Sequence, residues 1–134
     1  MKAIGRTAEA RFLADCVSRG FTVAFPFGDA KDIDCVVVSG RRCFRVQVKS
    51  CARKRQRKTS HAPCYDVELR GGGNSRGSVA KRNYELGAYD IVAIWLAEDG
   101  LWAFREAHET RMAQGIRINP KVAVTNNWEI FDAK

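Results

Sequence analysis

The stretch that decides the fold is residues 33–39, Ile-Asp-Cys-Val-Val-Val-Ser, joined by Gly40-Arg41 to residues 42–49, Arg-Cys-Phe-Arg-Val-Gln-Val-Lys. Both runs are rich in β-branched and alternating residues, and a two-residue turn with glycine first is typical of a tight hairpin. We therefore predict a β-hairpin. If its turn is centred between Gly40 and Arg41, Asp34 lies opposite Gln47.

Side-chain alternation gives this hairpin one polar and one apolar face. The period of two places Lys49 on the same face as Asp34 and Gln47. The other face is predicted to belong to the core and carries Cys35, Val37, Phe44, Val46 and Val48. A carboxylate, an amide and an ammonium group are thus expected to converge on one side of the hairpin.

Such a group of side chains can bind a divalent cation and a phosphate together. Mg²⁺ prefers oxygen ligands, and suitable ones are the carboxylate of Asp34, the side-chain carbonyl of Gln47 and the backbone carbonyl of Val48. Lys49 would then position an attacking water and offset charge on the phosphate. The alternative is an ordinary Asp–Lys pair on a half-exposed sheet, which would contribute little. These residues alone leave both interpretations open.

Glu9 favours the metal site. Helical spacing across residues 7–19 gives an apolar stripe through Phe12, Leu13 and Cys16, and this stripe runs back to Glu9. A buried unpaired carboxylate is costly, so Glu9 should have a partner. It could instead simply complement the positive end of the helix, because acidic residues collect in the first turn.

Composition sets broad limits. The 134 residues, 46% of them hydrophobic, are predicted to form a single domain over 1–134. There is neither a signal-peptide pattern nor an apolar run long enough to span a membrane, so we expect a soluble, cytoplasmic protein. The five cysteines lack CxxC spacing and are expected to be reduced, with Cys16, Cys35 and Cys43 in core segments. His61 and Cys64 lack a second pair of zinc ligands.

The excess of positive over negative charge is confined to one window. The formal net charge of +8 lies entirely between Lys49 and Arg82. A basic surface beside a metal and phosphate site points to nucleic acid, and we expect a DNA-binding insertion at about 50–82. The alternative is a solvated basic loop. The candidate DNA-binding residues are Arg53, Lys54, Arg55, Arg57, Lys58, Arg70, Arg76, Lys81 and Arg82.

The remaining elements complete a mixed α/β pattern. We predict a short strand near residues 21–25, a strand at 65–69, a buried central strand at 89–96 and its hairpin partner at 101–104. A helix is predicted from Glu106 to about Gln114, with Gly115 as its cap. In the tail, Trp128, Ile130 and Phe131 are expected to pack back or to pair with another subunit.

The order of these motifs resembles the core of PD-(D/E)XK nucleases, and it is similar to the group I intron-encoded homing endonucleases of bacteria. The matching positions are Gly5, Glu9, Leu13, Gly20-Phe21-x-Val23, Pro26-Phe27-Gly28-Asp29, Asp32-Ile33-Asp34, residues 45–50 with Gln47-Val48-Lys49, and Tyr84 with residues 89–95. The resemblance covers about residues 4–106. It implies an α/β fold with a restriction-endonuclease-like core, an αβββαβ-type mixed sheet flanked by helices.

The resemblance also implies an activity, which is Mg²⁺-dependent hydrolysis of phosphodiester bonds in double-stranded DNA at a specific sequence, with Mn²⁺ as a substitute. It implies the catalytic residues Glu9, Asp34, Gln47 and Lys49, with the metal held by Asp34, Glu9, Gln47 and Val48. Members of the subgroup are homo-oligomers, so a homodimer or homotetramer is expected.

Two departures leave alternatives open. Ile33 stands where the family name has proline, and Gln47 replaces an acidic residue, although glutamine is the familiar choice in the homing subgroup. The alternatives are a nuclease resembling Holliday-junction resolvases, which would prefer branched DNA, and a non-catalytic DNA-binding protein on the same fold.

Overall fold

The computed structural model describes residues 3–28, 32–59, 61–71, 87–110 and 113–132. Helix α1 spans Ala3–Ser18. A five-stranded mixed sheet follows, and its strands are β1 (Thr22–Ala24), β2 (Cys35–Ser39), β3 (Arg42–Cys51), β5 (Ile91–Leu96) and β6 (Leu101–Glu106). They lie across the sheet in this order. A two-stranded sheet pairs β4 (Tyr65–Glu68) with β7 (Gly115–Ile118), and the short helices are α2 (Ala107–Thr110) and a 3₁₀ turn at Trp128–Phe131.

The predicted hairpin is present in the predicted register. Strands β2 and β3 are antiparallel and pair Cys35 with Val46 and Val37 with Phe44. Gly40 has a φ of 60°, a backbone conformation that glycine adopts without steric cost. Strand β2 begins at Cys35 rather than at residue 33, so Asp34 lies just outside the strand and its backbone N–H still donates to the carbonyl of Val46, at 2.9 Å.

Strand β5 joins the sheet beside β3, and the two run parallel. Arg45 and Asp90 fix the start of this pairing, because the guanidinium of Arg45 lies 3.0 Å from the carboxylate and the Arg45 N–H donates to the same carboxylate at 2.8 Å. The backbone N–H of Asp90 donates in return to the Arg45 carbonyl. The predicted central strand is confirmed, since five of the six residues of β5 are buried.

Two apolar clusters cover the two faces of the main sheet, because residues that alternate along β5 belong to different clusters. The first cluster packs α1 and the tail against the sheet. Trp128 stacks on Phe12 with ring centroids 6.0 Å apart, and Phe131 is fully buried, so the tail packs back as predicted. The second cluster packs the β4–β7 sheet against the other face through Tyr65, Val67 and Ile118.

Three expectations need correction or fall outside the described residues. The helix predicted to reach Gln114 is described only at Ala107–Thr110, and Gly115 begins β7 instead of capping a helix. A Cβ at Gly115 would lie 2.7 Å from the Val67 carbonyl oxygen, so glycine here permits the close approach of β4. Cys43 is exposed because alternation in β3 buries Phe44 in its place.

The described part of the connection between β3 and β5 contains β4 and no helix. The helix that an αβββαβ pattern places there would have to fall at 72–86, outside the described residues. Among the residues that are described, no helix has the length and hydrophobicity needed to cross a membrane.

Candidate active site

The hairpin holds the carboxylate of Asp34 against the backbone of β3. The Val48 N–H donates to Asp34 Oδ2 at 2.7 Å, and the Asp34 N–H donates to the carbonyl of Val46. These two contacts lie on either side of Gln47 in the sequence of β3. Asp34 and Gln47 are therefore neighbours across the open end of the hairpin, as the register predicted, and Asp34 has little freedom to turn away.

Helix α1 brings a second carboxyl group to Asp34. The helix is anchored by Ala8, Phe12 and Cys16, which are all buried in the first cluster, and Glu9 lies half-buried beside them. The carboxyl group of Glu9 lies near enough to that of Asp34 for the two to interact. Burial raises the pKa of Glu9, and the negative charge of Asp34 raises it further. Two carboxyl groups held together in this way favour either a shared proton or a cation between them.

Gln47 contributes an unsatisfied oxygen. Its side chain is only 7% exposed, and within the described part of the chain no donor reaches its Oε1 atom. An orphaned buried acceptor costs about 1–3 kcal/mol, so natural proteins seldom keep one without a role. Together with the carboxylates of Glu9 and Asp34, this oxygen makes a set of hard ligands that fits a divalent cation such as Mg²⁺.

Lys49 follows Gln47 by two residues on β3 and therefore lies on the same face of the sheet. Its side chain is half-buried, and its Nζ atom donates to the backbone carbonyl of Arg70 at 3.3 Å. Arg70 lies two residues beyond the end of β4. The predicted catalytic lysine is thus in contact with the predicted basic segment.

Several of the predicted DNA-binding residues form ion pairs on the β4 side of the sheet. Lys54 contacts Asp99 at 3.1 Å, Arg57 contacts Asp66 at 2.9 Å, and Arg70 contacts Glu68 at 2.9 Å. Arg53, Arg55 and Lys58 are exposed. The other predicted DNA-binding residues, Arg76, Lys81 and Arg82, lie outside the described residues.

Arg117 was not identified from the sequence. It lies on β7 directly across from Asp66, and its Nε atom donates to Asp66 Oδ1 at 3.3 Å. No local motif marks this residue, since it stands in a mixed tail segment 51 positions from its partner. The pairing of β4 with β7 is what brings it beside the basic segment.

A second group of possible ligands lies elsewhere. Glu106, His108 and Glu109 are exposed at the end of β6 and in α2, with ligand atoms within 4.8 Å of one another. The spacing Glu-x-His-Glu was visible in the sequence. Exposed groups of this kind are common without a metal, and these residues are not those that the hairpin brings together.

The fold and the site together define a class of protein. A helix bearing a glutamate, a hairpin that holds an aspartate beside an amide, and a lysine two residues later on a strand paired in parallel with β5 are the elements of a restriction-endonuclease-like nuclease core.

Comparison with known proteins agrees with this class. The sequence matches the PD-(D/E)XK endonuclease family over residues 1–129, and the chain belongs to this family. The structure is similar to that of a bacterial homing endonuclease, I-Ssp6803I, with a TM-score of 0.68 and 21% sequence identity over 92% of this chain and 78% of that one. At this identity the likeness establishes the fold. A search of curated proteins gives no significant match.

Proposed function

We propose that this nuclease is a sequence-specific endonuclease of double-stranded DNA, of the homing type, which depends on Mg²⁺ and accepts Mn²⁺. The observation that carries the proposal is the interaction of the Glu9 and Asp34 carboxyl groups, on a hairpin where Gln47 stands opposite Asp34 and no donor within the described residues reaches its Oε1 atom. Three side chains that offer oxygen ligands at a half-buried position are better explained by a bound cation than by a surface ion pair.

In this proposal Asp34, Glu9 and Gln47 hold the cation, with the backbone carbonyl of Val48 as a further ligand. The chemistry that Mg²⁺ supplies when bound is stabilisation of the negative charge that develops on the scissile phosphate. The Val48 N–H keeps Asp34 in one orientation. Lys49 donates a hydrogen bond that positions the attacking water and places a positive charge near the phosphate.

The basic segment at about 50–82 would bind the DNA backbone beside this site. Each chain offers one active site, so cutting both strands of a duplex requires at least a homodimer, and a homotetramer is consistent with the same logic. We infer that the protein acts in the cytoplasm, where unprotected DNA and Mg²⁺ are both present.

The proposal is tested by incubating the protein with a library of linear duplexes of random sequence, with Mg²⁺ in one arm and EDTA in the other. We expect Mg²⁺-dependent double-strand cuts that cluster at one sequence family. A four-way junction is the matched substrate, and cleavage of the junction alone would favour a resolvase. Binding to duplexes without cleavage at any concentration of Mg²⁺ or Mn²⁺ would indicate a non-catalytic DNA-binding protein.

The raised pKa of Glu9 gives a second expectation, which concerns stability without metal. Because the pKa is higher in the folded chain than in the unfolded one, the stability associated with this group is fully present below the ordinary carboxyl pKa and is lost as pH rises through the raised value. In Glu9→Gln the side chain does not titrate, so stability is no longer lost at this position as pH rises. We expect the melting temperature of the variant in EDTA to exceed that of the wild type at neutral pH, with the difference shrinking in acid.

The same melting experiment with Mg²⁺ provides the functional readout. Bound cation should raise the melting temperature of the wild type more than that of Glu9→Gln, since ligand binding stabilises only the state that binds it. Glu98→Gln, which alters an exposed glutamate in the turn between β5 and β6, measures the effect of simply removing one charge. Equal stabilisation of wild type and Glu9→Gln by Mg²⁺ would show that Glu9 is not part of a metal site.

A further inference from the structure

The β4–β7 sheet has one apolar and one charged face. Tyr65 and Val67 of β4 and Ile118 of β7 are buried against the main sheet. Alternation then turns Asp66 and Arg117, which are cross-strand partners, to the outer face. The outer face is therefore a charged surface on a sheet whose inner face is buried in the second cluster.

An open cleft of about 440 Å³ runs along this outer face. Three arginines from three separate segments reach it, one from the loop after β3, one from just beyond β4 and one from β7. The lining of the cleft includes Arg57, Asp66, Glu68, Arg70, Gly115 and Arg117. Gly115 is paired with Glu68 and also lines the cleft.

Asp66 holds two of these arginines at once. Arg57 Nη2 donates to Oδ2 at 2.9 Å, and Arg117 Nε donates to Oδ1 at 3.3 Å. These ion pairs lower the pKa of Asp66, the hydrogen bond from Arg57 being the largest cause, so the carboxylate is charged at neutral pH. Each contact occupies one of the five N–H donors of its guanidinium group. The remaining donors of both groups are oriented by the same carboxylate.

The third arginine connects the cleft to the candidate active site. Glu68 accepts hydrogen bonds from both the backbone N–H and the guanidinium of Arg70, at 3.0 and 2.9 Å. The carbonyl of Arg70 in turn accepts the hydrogen bond from Lys49 Nζ. Arg70 therefore links the cleft to the lysine of the candidate active site.

We propose that Asp66 is a positioning residue that fixes Arg57 and Arg117 as a paired binding site for a phosphate of the DNA backbone, next to the scissile phosphate. This inference rests on the proposed function, since it takes DNA as the substrate. Paired guanidinium groups with fixed geometry are suited to a phosphate, because each can donate two parallel hydrogen bonds. The negative charge of Asp66 offsets the repulsion between the guanidinium groups of Arg57 and Arg117, so the two groups lie close together before a phosphate binds.

A positioning role for Asp66 and simple electrostatics predict opposite effects of Asp66→Asn on DNA affinity. Removing a negative charge from a DNA-binding surface should tighten binding if charge alone matters. If Asp66 orients the two arginines, Asp66→Asn should instead weaken binding, because the amide presents N–H groups where one guanidinium was held. We expect the dissociation constant for duplex DNA to rise about tenfold, which is the loss of one charge-assisted contact.

The measurement is a titration of duplex DNA with the wild type, Asp66→Asn and Asp132→Asn at several salt concentrations, without Mg²⁺. Asp132 is an exposed aspartate next to the 3₁₀ turn, which packs on the opposite face of the main sheet, so its variant controls for the change in net charge. Arg117→Ala should lower the slope of log affinity against log salt by about one phosphate contact. Arg117→Lys should keep that slope and lose affinity, because a lysine lacks the planar fork.

Thermal melts of each variant accompany the titration. If Asp66→Asn melts like the wild type and binds DNA as tightly as it or more tightly, the positioning role is wrong. If Asp66→Asn is unstable, Arg117→Lys decides, and unchanged affinity in that variant would overturn the proposal. If the variants bind DNA more weakly and the wild type cuts no DNA, the arginine cleft is supported as a DNA-binding site. The proposed catalytic activity is then refuted. A wild type that binds no duplex would refute both.

Discussion

Lys49→Ala is expected to abolish DNA cleavage while leaving DNA binding nearly intact. The ammonium group lies on the same face of β3 as Gln47. In the proposed mechanism its loss removes both a hydrogen-bond donor and a positive charge from the reacting phosphate. Electrostatic groups of this kind contribute about 10²–10³-fold to a catalysed rate. The same charge contributes little to affinity, since a half-exposed ion pair is worth under about 1 kcal/mol.

The measurement is a single-turnover cleavage rate with saturating protein, alongside a dissociation constant measured without Mg²⁺. Lys121→Ala, which alters an exposed lysine after β7, should cleave at the wild-type rate. Lys49 Nζ also contacts the carbonyl of Arg70, so a thermal melt of Lys49→Ala shows whether the loss is one of chemistry or of folding. Cleavage by a folded Lys49→Ala at the wild-type rate would mean that another residue has the role.

The hairpin and its register were predictable because both depend on local chemistry. A glycine-first turn fixes which residues face each other, and the two-residue period then fixes the faces, so the Cys35–Val46 and Val37–Phe44 pairs follow directly. The position of Glu9 followed from the helical stripe in the same way. What these patterns share is that their partners are near in sequence or are related by a fixed period.

The errors arose where a distant partner decides the structure. Gly115 after a helical pattern is typical of a helix cap, but it begins β7, because β7 pairs with β4 and needs a residue without a Cβ beside Val67. Arg117 was missed for the same reason. Its role depends on Asp66, which is brought next to it only by that pairing. Sequence periodicity carries no information about which two strands will meet across such a separation.

Gln47 is the residue about which the sequence was most ambiguous. Glutamine in place of an acidic residue is compatible with a weakened site as well as with an active one. Its buried Oε1 atom, which no donor reaches in the part of the chain that the structure describes, supports the active interpretation. A site that had lost its cation would gain stability from replacing this amide with an apolar side chain.

Asp34→Asn removes a negative charge from the candidate active site while nearly preserving the shape of the side chain. Asparagine has nearly the same volume as aspartate, and its side-chain carbonyl can still accept the hydrogen bond from the Val48 N–H, so the hairpin should be retained. What is lost is the negative charge next to Glu9. We expect cleavage to fall at least about 10³-fold, comparable to removal of a principal electrostatic group.

The same substitution should change Glu9 in a predictable direction. The charge of Asp34 is one cause of the raised pKa of Glu9, and burial is the larger one. In Asp34→Asn the pKa of Glu9 should therefore fall, yet stay above its ordinary value. NMR titration of the glutamate carboxyl carbons in the metal-free protein measures this shift, and Asp132→Asn is the matched control.

Stabilisation by Mg²⁺ completes the test, because a cation held by Asp34 and Glu9 loses one of its two charged ligands in Asp34→Asn. The rise in melting temperature on adding Mg²⁺ should then largely disappear, while Asp132→Asn keeps it. If Asp34→Asn lowers the pKa of Glu9 but leaves both cleavage and Mg²⁺ stabilisation within tenfold of the wild type, the two carboxyl groups are neighbours without being the metal site. The exposed group Glu106, His108 and Glu109 would then be the next place to look for the cation.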